Sequence, residues 1–192
     1  MQREKGRLII LSGPSGAGKG TICAELMKRR PDIIISRSVT TREPRENEMK
    51  NRSYIFVSTD QFLQMVQDNE LLEFDQHFEN YYGTPRGFVE DMLKFGKDVL
   101  LEIDVKGALQ VKSNFPNSIL FFVEAPSEED LYNRLIKRGT ESDEKIQIRM
   151  ARSKLELAQK SKYDYCILND TVERAVSEIV SILDSRKAEG DK

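Results

Sequence analysis

The sequence predicts an α/β fold, a parallel sheet flanked by helices, and three observations carry that reading. Short apolar runs recur along the chain, among them Leu8-Ile9-Ile10-Leu11, Val99-Leu100-Leu101, Ile119-Leu120-Phe121-Phe122-Val123 and Tyr165-Cys166-Ile167-Leu168. Near-continuous apolar strands of this kind belong to parallel sheets buried on both faces. Amphipathic segments at helical spacing separate the runs, which supplies the crossover helices such a sheet needs. Finally, a glycine-rich turn, Gly13-Pro14-Ser15-Gly16-Ala17-Gly18-Lys19-Gly20-Thr21, directly follows the first run.

In chain order, the first strand and its turn lead into a helix through Ile22, Cys23 and Leu26 that ends near Pro31. Ile33-Ile34-Ile35 reads as a buried strand. Residues 37–52 are polar and irregular, and a short strand follows at Tyr54-Ile55-Phe56-Val57. Phe62, Leu63, Met65 and Val66 lie on a helix, Leu71–Phe74 on a strand, and Phe88–Phe95 on a helix stopped by Gly96. After the strands that begin at Val99 and Ile119, Pro126-Ser127 opens a helix through Arg138. Ser127 and Asp130 resemble a capping box there, and Gly139 is the stop. A long polar helix is expected from about 143 to 160. After the strand at Tyr165, Asp170 and Glu173 are candidate caps of a last helix carrying Val172, Ala175, Val176, Ile179 and Leu183. The stretch from 37 to 82 breaks the strand–helix rhythm and reads as an inserted lobe.

Composition narrows the class. The 192 residues suit one domain with inserted subdomains, and 39% hydrophobic with 32% charged content fits a globular chain. Thirty basic residues against 32 acidic give a net charge of −2, without the basic excess of a general nucleic-acid binder. No apolar run approaches the roughly 18 residues that cross a bilayer, and no signal peptide is read before the first strand. The expectation is a cytoplasmic protein without membrane or nucleic-acid partners. Cys23 and Cys166 are expected to be buried free thiols. A single histidine, His77, excludes a histidine-cluster metal site and makes a Ser-His-Asp mechanism improbable.

The glycine-rich turn has the layout of a phosphate-binding loop. Its glycines let successive backbone N–H groups point at phosphate oxygens, and the following helix offers its N-terminus to the same anion. Lys19 adds a mobile charge for a nucleotide's β- and γ-phosphates. Gly20 stands where the common pattern has a hydroxyl for a metal ion, and Thr21 next to it is the candidate metal contact, directly or through water.

A second constellation is Ser38-Val39-Thr40-Thr41-Arg42-Glu43-Pro44-Arg45, then Tyr54, Glu73 and Tyr81-Tyr82-Gly83-Thr84. Arg42 and Arg45, kept out of a helix by Pro44, can converge on one phosphate with charge-assisted forks. A solvated basic loop would explain the arginines but not the accompanying Ser, Tyr and Glu. A carboxylate such as Glu73 can accept two parallel N–H donors at once. Its place between Leu72 and Phe74 equally suits a surface charge on an alternating strand.

With these pieces the sequence resembles the guanylate kinases. The resemblance runs from about Leu8 to Asp170 and also includes Asn80, Ile103-Asp104 with Gly107, Arg134, Arg138-Gly139-Thr140-Glu141, Arg149 and Asn169-Asp170. It implies a P-loop NTPase-type core at about 1–36, 83–125 and 161–192, a GMP-binding lobe at about 37–82 and a lid at about 126–160. It further implies transfer of the γ-phosphoryl group of ATP to GMP with Mg2+. Carried over by residue, Arg42, Arg45, Tyr54 and Tyr82 hold the GMP phosphate, and Ser38, Glu73 and Thr84 hold guanine, with Glu102 and Asp104 nearby. Gly13, Pro14, Ser15, Gly16, Ala17, Gly18, Lys19, Gly20 and Thr21 hold the ATP phosphates, and Asn169 lies near adenine. Arg134, Arg138 and Arg149 close over the transferring group. Taken singly, Arg134 or Arg138 equally suits an ion-pair ladder with Asp130. Arg152 reads as a surface charge. Lys106 stands where the family has Gln, Asp75 where it has a small apolar residue, Glu102 where it has Asp, and Asn47 where it has Gly.

Two other readings stay open on the sequence. A guanylate-kinase-like interaction module would keep the fold and bind phosphopeptides without catalysis, although its loop would be degraded. Another small P-loop kinase would act on AMP, against which Glu73 and Tyr82-Gly83-Thr84 argue.

Overall fold

The computed structural model describes residues 5–44, 54–77, 79–137 and 143–190. Strands β1 (Leu8–Ser12), β2 (Ile34–Ile35), β7 (Val99–Glu102), β8 (Ile119–Glu124) and β9 (Tyr165–Leu168) form a five-stranded sheet in the order β2-β7-β1-β8-β9. Every residue of β1 is buried, as a strand covered on both faces requires. The pairs β2–β7 and β8–β9 are parallel, with Ile34 opposite Val99 and Phe122 opposite Cys166. The α/β architecture is therefore the one predicted. By contacts the chain divides into two compact units, Met1–Ile10 with Asp32–Ile119, and Leu11–Pro31 with Leu120–Lys192.

The first unit carries a second sheet. Strands β3 (Ser38–Thr40), β4 (Tyr54–Phe56), β5 (Leu71–His77) and β6 (Asn80–Pro85) run in the order β4-β3-β6-β5. β3 pairs parallel with β4, whereas β6 is antiparallel to both β3 and β5. β5 is longer than expected and β6 was not expected as a strand, since its Gly83 and Pro85 are poor strand formers. Gly83 is required by packing: a Cβ there would lie 2.9 Å from the Leu71 side chain and 3.0 Å from the Glu73 carbonyl. Helix α1 (Lys19–Arg29) belongs to the other unit, and helix α2 (Thr59–Gln67) starts on a capping box between Ser58 and Gln61. Its Phe62 is fully buried with Val39 and Leu71 and stacks on Tyr81 at 5.3 Å between ring centres. Helix α3 (Arg86–Lys94) follows β6, and helix α4 (Val105–Asn114) follows β7. The side chain of Asp104 caps α4 by accepting from the Gly107 N–H at 2.7 Å.

In the second unit, β8 leads to helix α5 (Glu128–Ile136), capped by Ser127, whose hydroxyl accepts from the Asp130 N–H at 3.0 Å. Helix α6 (Asp143–Leu157) stops earlier than predicted, and a 3₁₀ turn at Lys160–Lys162 precedes β9. Helix α7 (Val172–Gly190) is capped by Thr171, whose hydroxyl accepts from Arg174 N–H at 3.4 Å. Asp170 instead accepts from the Thr171 N–H at 2.6 Å and the Arg174 side chain at 2.8 Å, so the predicted capping role of Asp170 and Glu173 shifts by one residue. Arg30 ties α1 to Asp184 of α7 at 2.8 Å. Cys23 is buried, but Cys166 is exposed, which corrects the expectation for that thiol.

Candidate functional site

The second unit builds the phosphate loop. Gly13, Gly16 and Gly18 hold φ of +140°, +91° and +92°, values that L side chains rarely adopt. Space adds to this requirement: a Cβ at Gly13 would strike the Val123 carbonyl oxygen, and one at Gly18 would strike the Asn169 carboxamide. Gly18 is the N-cap of α1 and provides no side-chain cap, so the first N–H groups of the helix face the loop. Lys19, the first helical residue, donates from Nζ to the carbonyls of Gly13 at 2.6 Å and Pro14 at 3.1 Å.

Three further predicted residues gather on this loop. Arg134 of α5 donates to the Ala17 carbonyl at 3.3 Å and to the Asn169 carbonyl at 2.9 Å. Arg149 of α6 donates to the Ser15 hydroxyl at 3.0 Å. Asn169, buried at the end of β9, donates from Nδ2 to the Ala17 carbonyl at 2.7 Å. The described bonds of Arg134 thus go to backbone carbonyls, and Asp130 is bonded to Ser127. Gly20 and Thr21 lie exposed on the first turn of α1, and Arg152 pairs with Glu156 at 2.8 Å. Arg45 and Arg138 lie outside the described residues.

The first unit builds two clusters. Arg42 lies over the Tyr54 ring at 5.6 Å from its centre, and Tyr54 meets Tyr82 edge-on at 6.2 Å. The pairing of β3 with β4 and β6 puts them together: Ser38 is opposite Tyr54, and Thr40 is opposite Tyr82. The second cluster is built around Glu73. Opposite it across the β5–β6 ladder is Thr84, whose hydroxyl donates to Glu73 Oε1 at 2.6 Å, with both residues buried. Oε2 of Glu73 presses on Gly107, where a Cβ would collide with it. Burial pushes the Glu73 carboxyl up to about 7; Asp104 and Asp75 push the same way, and the Thr84 bond opposes them. Glu102, at the last position of β7, is exposed.

Sequence reasoning left Asp75 and Lys106 unexplained. Asp75 is buried, and the Lys106 ammonium is ion-paired with its Oδ1. The available signal was period two: residues 73 and 75 of one strand share a face.

The family model for guanylate kinase matches residues 5–186. The chain belongs to the guanylate kinase family. It is 48% identical over 189 residues to a guanylate kinase of Clostridium tetani, covering 98% of this chain and 90% of that one. A guanylate kinase of Desulfitobacterium hafniense is 47% identical over 187 residues, covering 97% and 94%. The crystal structure of guanylate kinase from Anaplasma phagocytophilum superposes with a TM-score of 0.79 at 30% identity, over 97% of this chain and 88% of that one.

Guanylate kinases are phosphoryl-transfer enzymes that use a divalent metal. Among the described residues no group of three or more His, Cys, Asp or Glu could hold one. The exposed Thr21 hydroxyl offers a hard oxygen donor, which fits a metal held chiefly by substrate phosphates and water. No described helix is long and apolar enough to cross a membrane.

Proposed function

We propose that this chain transfers the γ-phosphoryl group of ATP to GMP, giving ADP and GDP, with residues held within each of its two units. The observation that carries the acceptor assignment is the buried Glu73 carboxylate, oriented by Thr84 and backed by Gly107. Guanine offers N1–H and an exocyclic amine as parallel donors, which an ionised carboxylate accepts together. Adenine would turn a lone pair toward the same oxygens. Sites built to hydrogen-bond one substrate reject the analogue without those donors by roughly 10⁴–10⁵-fold.

In this reading Ser38, Glu73 and Thr84 hold guanine, with Glu102 and Asp104 beside them, and Arg42, Arg45, Tyr54 and Tyr82 hold the GMP phosphate. Residues 13–21 cradle the ATP phosphates, and Asn169 lies by adenine. The lobe at about 37–82 and the lid at about 126–160 belong to the same reading. Phosphoryl transfer asks the protein for positioning and charge neutralisation more than covalent chemistry. Lys19 exchanges its bonds to the Gly13 and Pro14 carbonyls for phosphate oxygens. Arg134 uses two of the five N–H donors of a guanidinium on backbone carbonyls, which fixes its plane and leaves others for the transferring group. Arg149 and Arg138 add charge to the same group. Mg2+, with Thr21 as its protein hydroxyl, would supply neutralisation of the phosphate charge. The cytoplasm is the proposed compartment, as the place where both nucleotides are supplied.

The test is ADP release from ATP and Mg2+ with GMP, AMP, UMP or no acceptor. ADP formed only with GMP and matched by GDP is expected. Equal turnover with AMP would overturn the guanine assignment, and GMP binding without turnover would favour the non-catalytic module.

A further inference from the structure

Strand β5 is the outermost strand of the four-stranded sheet, so the backbone groups it does not turn to β6 point outward. At Phe74 a side chain meets them. The Phe74 N–H donates to Gln110 Oε1 at 3.3 Å, and Gln110 Nε2 donates to the Phe74 carbonyl at 3.2 Å. A carboxamide carries an acceptor and a donor side by side. Gln110 therefore gives β5 the pair of bonds that a neighbouring strand would exchange with it. It stands three residues after Gly107 on α4, on the same side of the helix. Gly107 lies against Glu73 Oε2, and Lys106 is ion-paired with Asp75. Helix α4 thus holds three successive residues of β5, the outer two by their side chains and Phe74 by its backbone.

The Phe74 N–H belongs to the peptide unit that starts at the Glu73 carbonyl carbon. Holding it fixes that plane, and with it the direction in which the Glu73 side chain leaves the strand. We propose that Gln110 is a positioning residue of the guanine site, a role that rests on Glu73 being the guanine acceptor: its carboxamide clamps the β5 backbone so that both Glu73 oxygens stand in place for two parallel donors. Thr84 and Gly107 fix the carboxylate end of that side chain, and Gln110 fixes the backbone from which it springs. A two-point contact tolerates less misplacement than a single bond, because tilting the acceptor strains both bonds at once. Loss of the clamp therefore costs most for a base that offers both donors. Inosine monophosphate, whose base keeps N1–H but lacks the exocyclic amine, is the one-donor comparison.

The experiment follows GDP formation by wild type, Gln110→Met and Gln110→Ala, with GMP and ATP varied in turn and inosine monophosphate added as a competitor. Met keeps the length of Gln without its amide, and Ala is the strongest helix former, so each variant backs up the other should one fail to fold. Both are expected to raise KM for GMP about 3- to 10-fold, the scale of one net hydrogen bond, while the inhibition constant of inosine monophosphate rises less than about twofold. Both kcat and KM for ATP should stay near wild type, because uniform loss of acceptor binding moves only the acceptor's KM. A KM for GMP within about twofold of wild type would overturn the proposal, and self-association of such a variant would leave Gln110 as a guard of the sheet edge only. Equal weakening of GMP and inosine monophosphate would overturn it too, as general damage to the binding lobe. Glu73→Gln measured alongside separates the two levels. If it weakens GMP while the Gln110 variants do not, the clamp alone fails; if it leaves KM for GMP unchanged, the guanine reading fails and takes the clamp with it.

Discussion

The Thr84 hydroxyl donates to Glu73 Oε1 across 2.6 Å within the buried face of the β5–β6 ladder. This bond fixes the plane of the carboxylate before any ligand arrives and lowers its pKa against the pull of burial. Removing the donor leaves a buried, partly charged acceptor with one bond fewer. A hydrogen bond to a charged group contributes about 1.5–3 kcal/mol. Thr84→Val is therefore expected to lower kcat/KM for GMP about 10- to 100-fold, with KM for ATP unchanged. Steady-state kinetics with each substrate varied in turn checks this, and a loss below twofold would remove the bond from substrate recognition.

Glu73 also links stability to pH. Its folded pKa, about 7, lies above the ordinary value of 4.5. Between those values the unfolded chain has already lost the proton that the folded chain retains. Stability present below pH 4.5 is thus lost as pH rises toward 7. At 1.36 kcal/mol per pKa unit the full loss is up to about 3 kcal/mol. Glu73→Gln removes the titration, so it is expected to melt roughly 6–12 °C above wild type at pH 8 and close to it at pH 4.5. Thermal melts across that range decide the point; a difference constant with pH would contradict it.

Lys19 tests the phosphate loop. Its ammonium is parked on loop carbonyls and touches no core side chain in those bonds. Lys19→Met is expected to lower kcat roughly 10²- to 10³-fold, the scale for loss of one preorganised charge-stabilising donor. The melting temperature should move little. Activity near wild type would show that the loop does not carry the donor phosphates.

Much of this arrangement was readable in the residues, and the exceptions have physical causes. The strands β1, β7 and β8 announce themselves as buried, continuous apolar runs, β9 is equally apolar in sequence although only its Ile167 is buried, and the loop glycines mark positions where the backbone adopts positive φ. Strand β6 escapes notice because Gly83 and Pro85 are weak strand formers kept there by close packing on Leu71 and Phe62. Thr171 caps α7 although Asp170 has the higher capping preference, because Asp170 is occupied by Arg174. The Asp75–Lys106 pair needs two facts beyond local sequence: the β5–β6 register, and the exact turn of α4 that faces β5. Arg42 and Tyr54 meet through the parallel β3–β4 pairing, a tertiary choice that no periodicity announces.

Gly18 offers a test of preorganisation. Gly18→Ala meets two obstacles, a φ of +92° and a collision with the Asn169 carboxamide. Strain of the first kind costs about 1–3 kcal/mol by itself. The variant is expected to lose stability by at least that amount and to bind ATP more weakly. Gly18→Ala/Asn169→Ala clears the collision but not the φ strain, so only part of the stability should return. Chemical denaturation and ATP titration of the three proteins check this; full recovery in the double variant would assign the whole cost to the collision.

The bond from Asn169 to the Ala17 carbonyl spans 152 residues of sequence. A ribosome releases the chain from its N-terminus, so Ala17 emerges long before its partner. Arg134 and Val123, the other neighbours that shape the loop, also come late. A nascent chain therefore displays its glycine-rich segment for most of its synthesis without the contacts that hold it in a nucleotide-binding form. The set of contacts that shapes the loop is therefore complete only once the last strand, which ends beside Asn169, is in place.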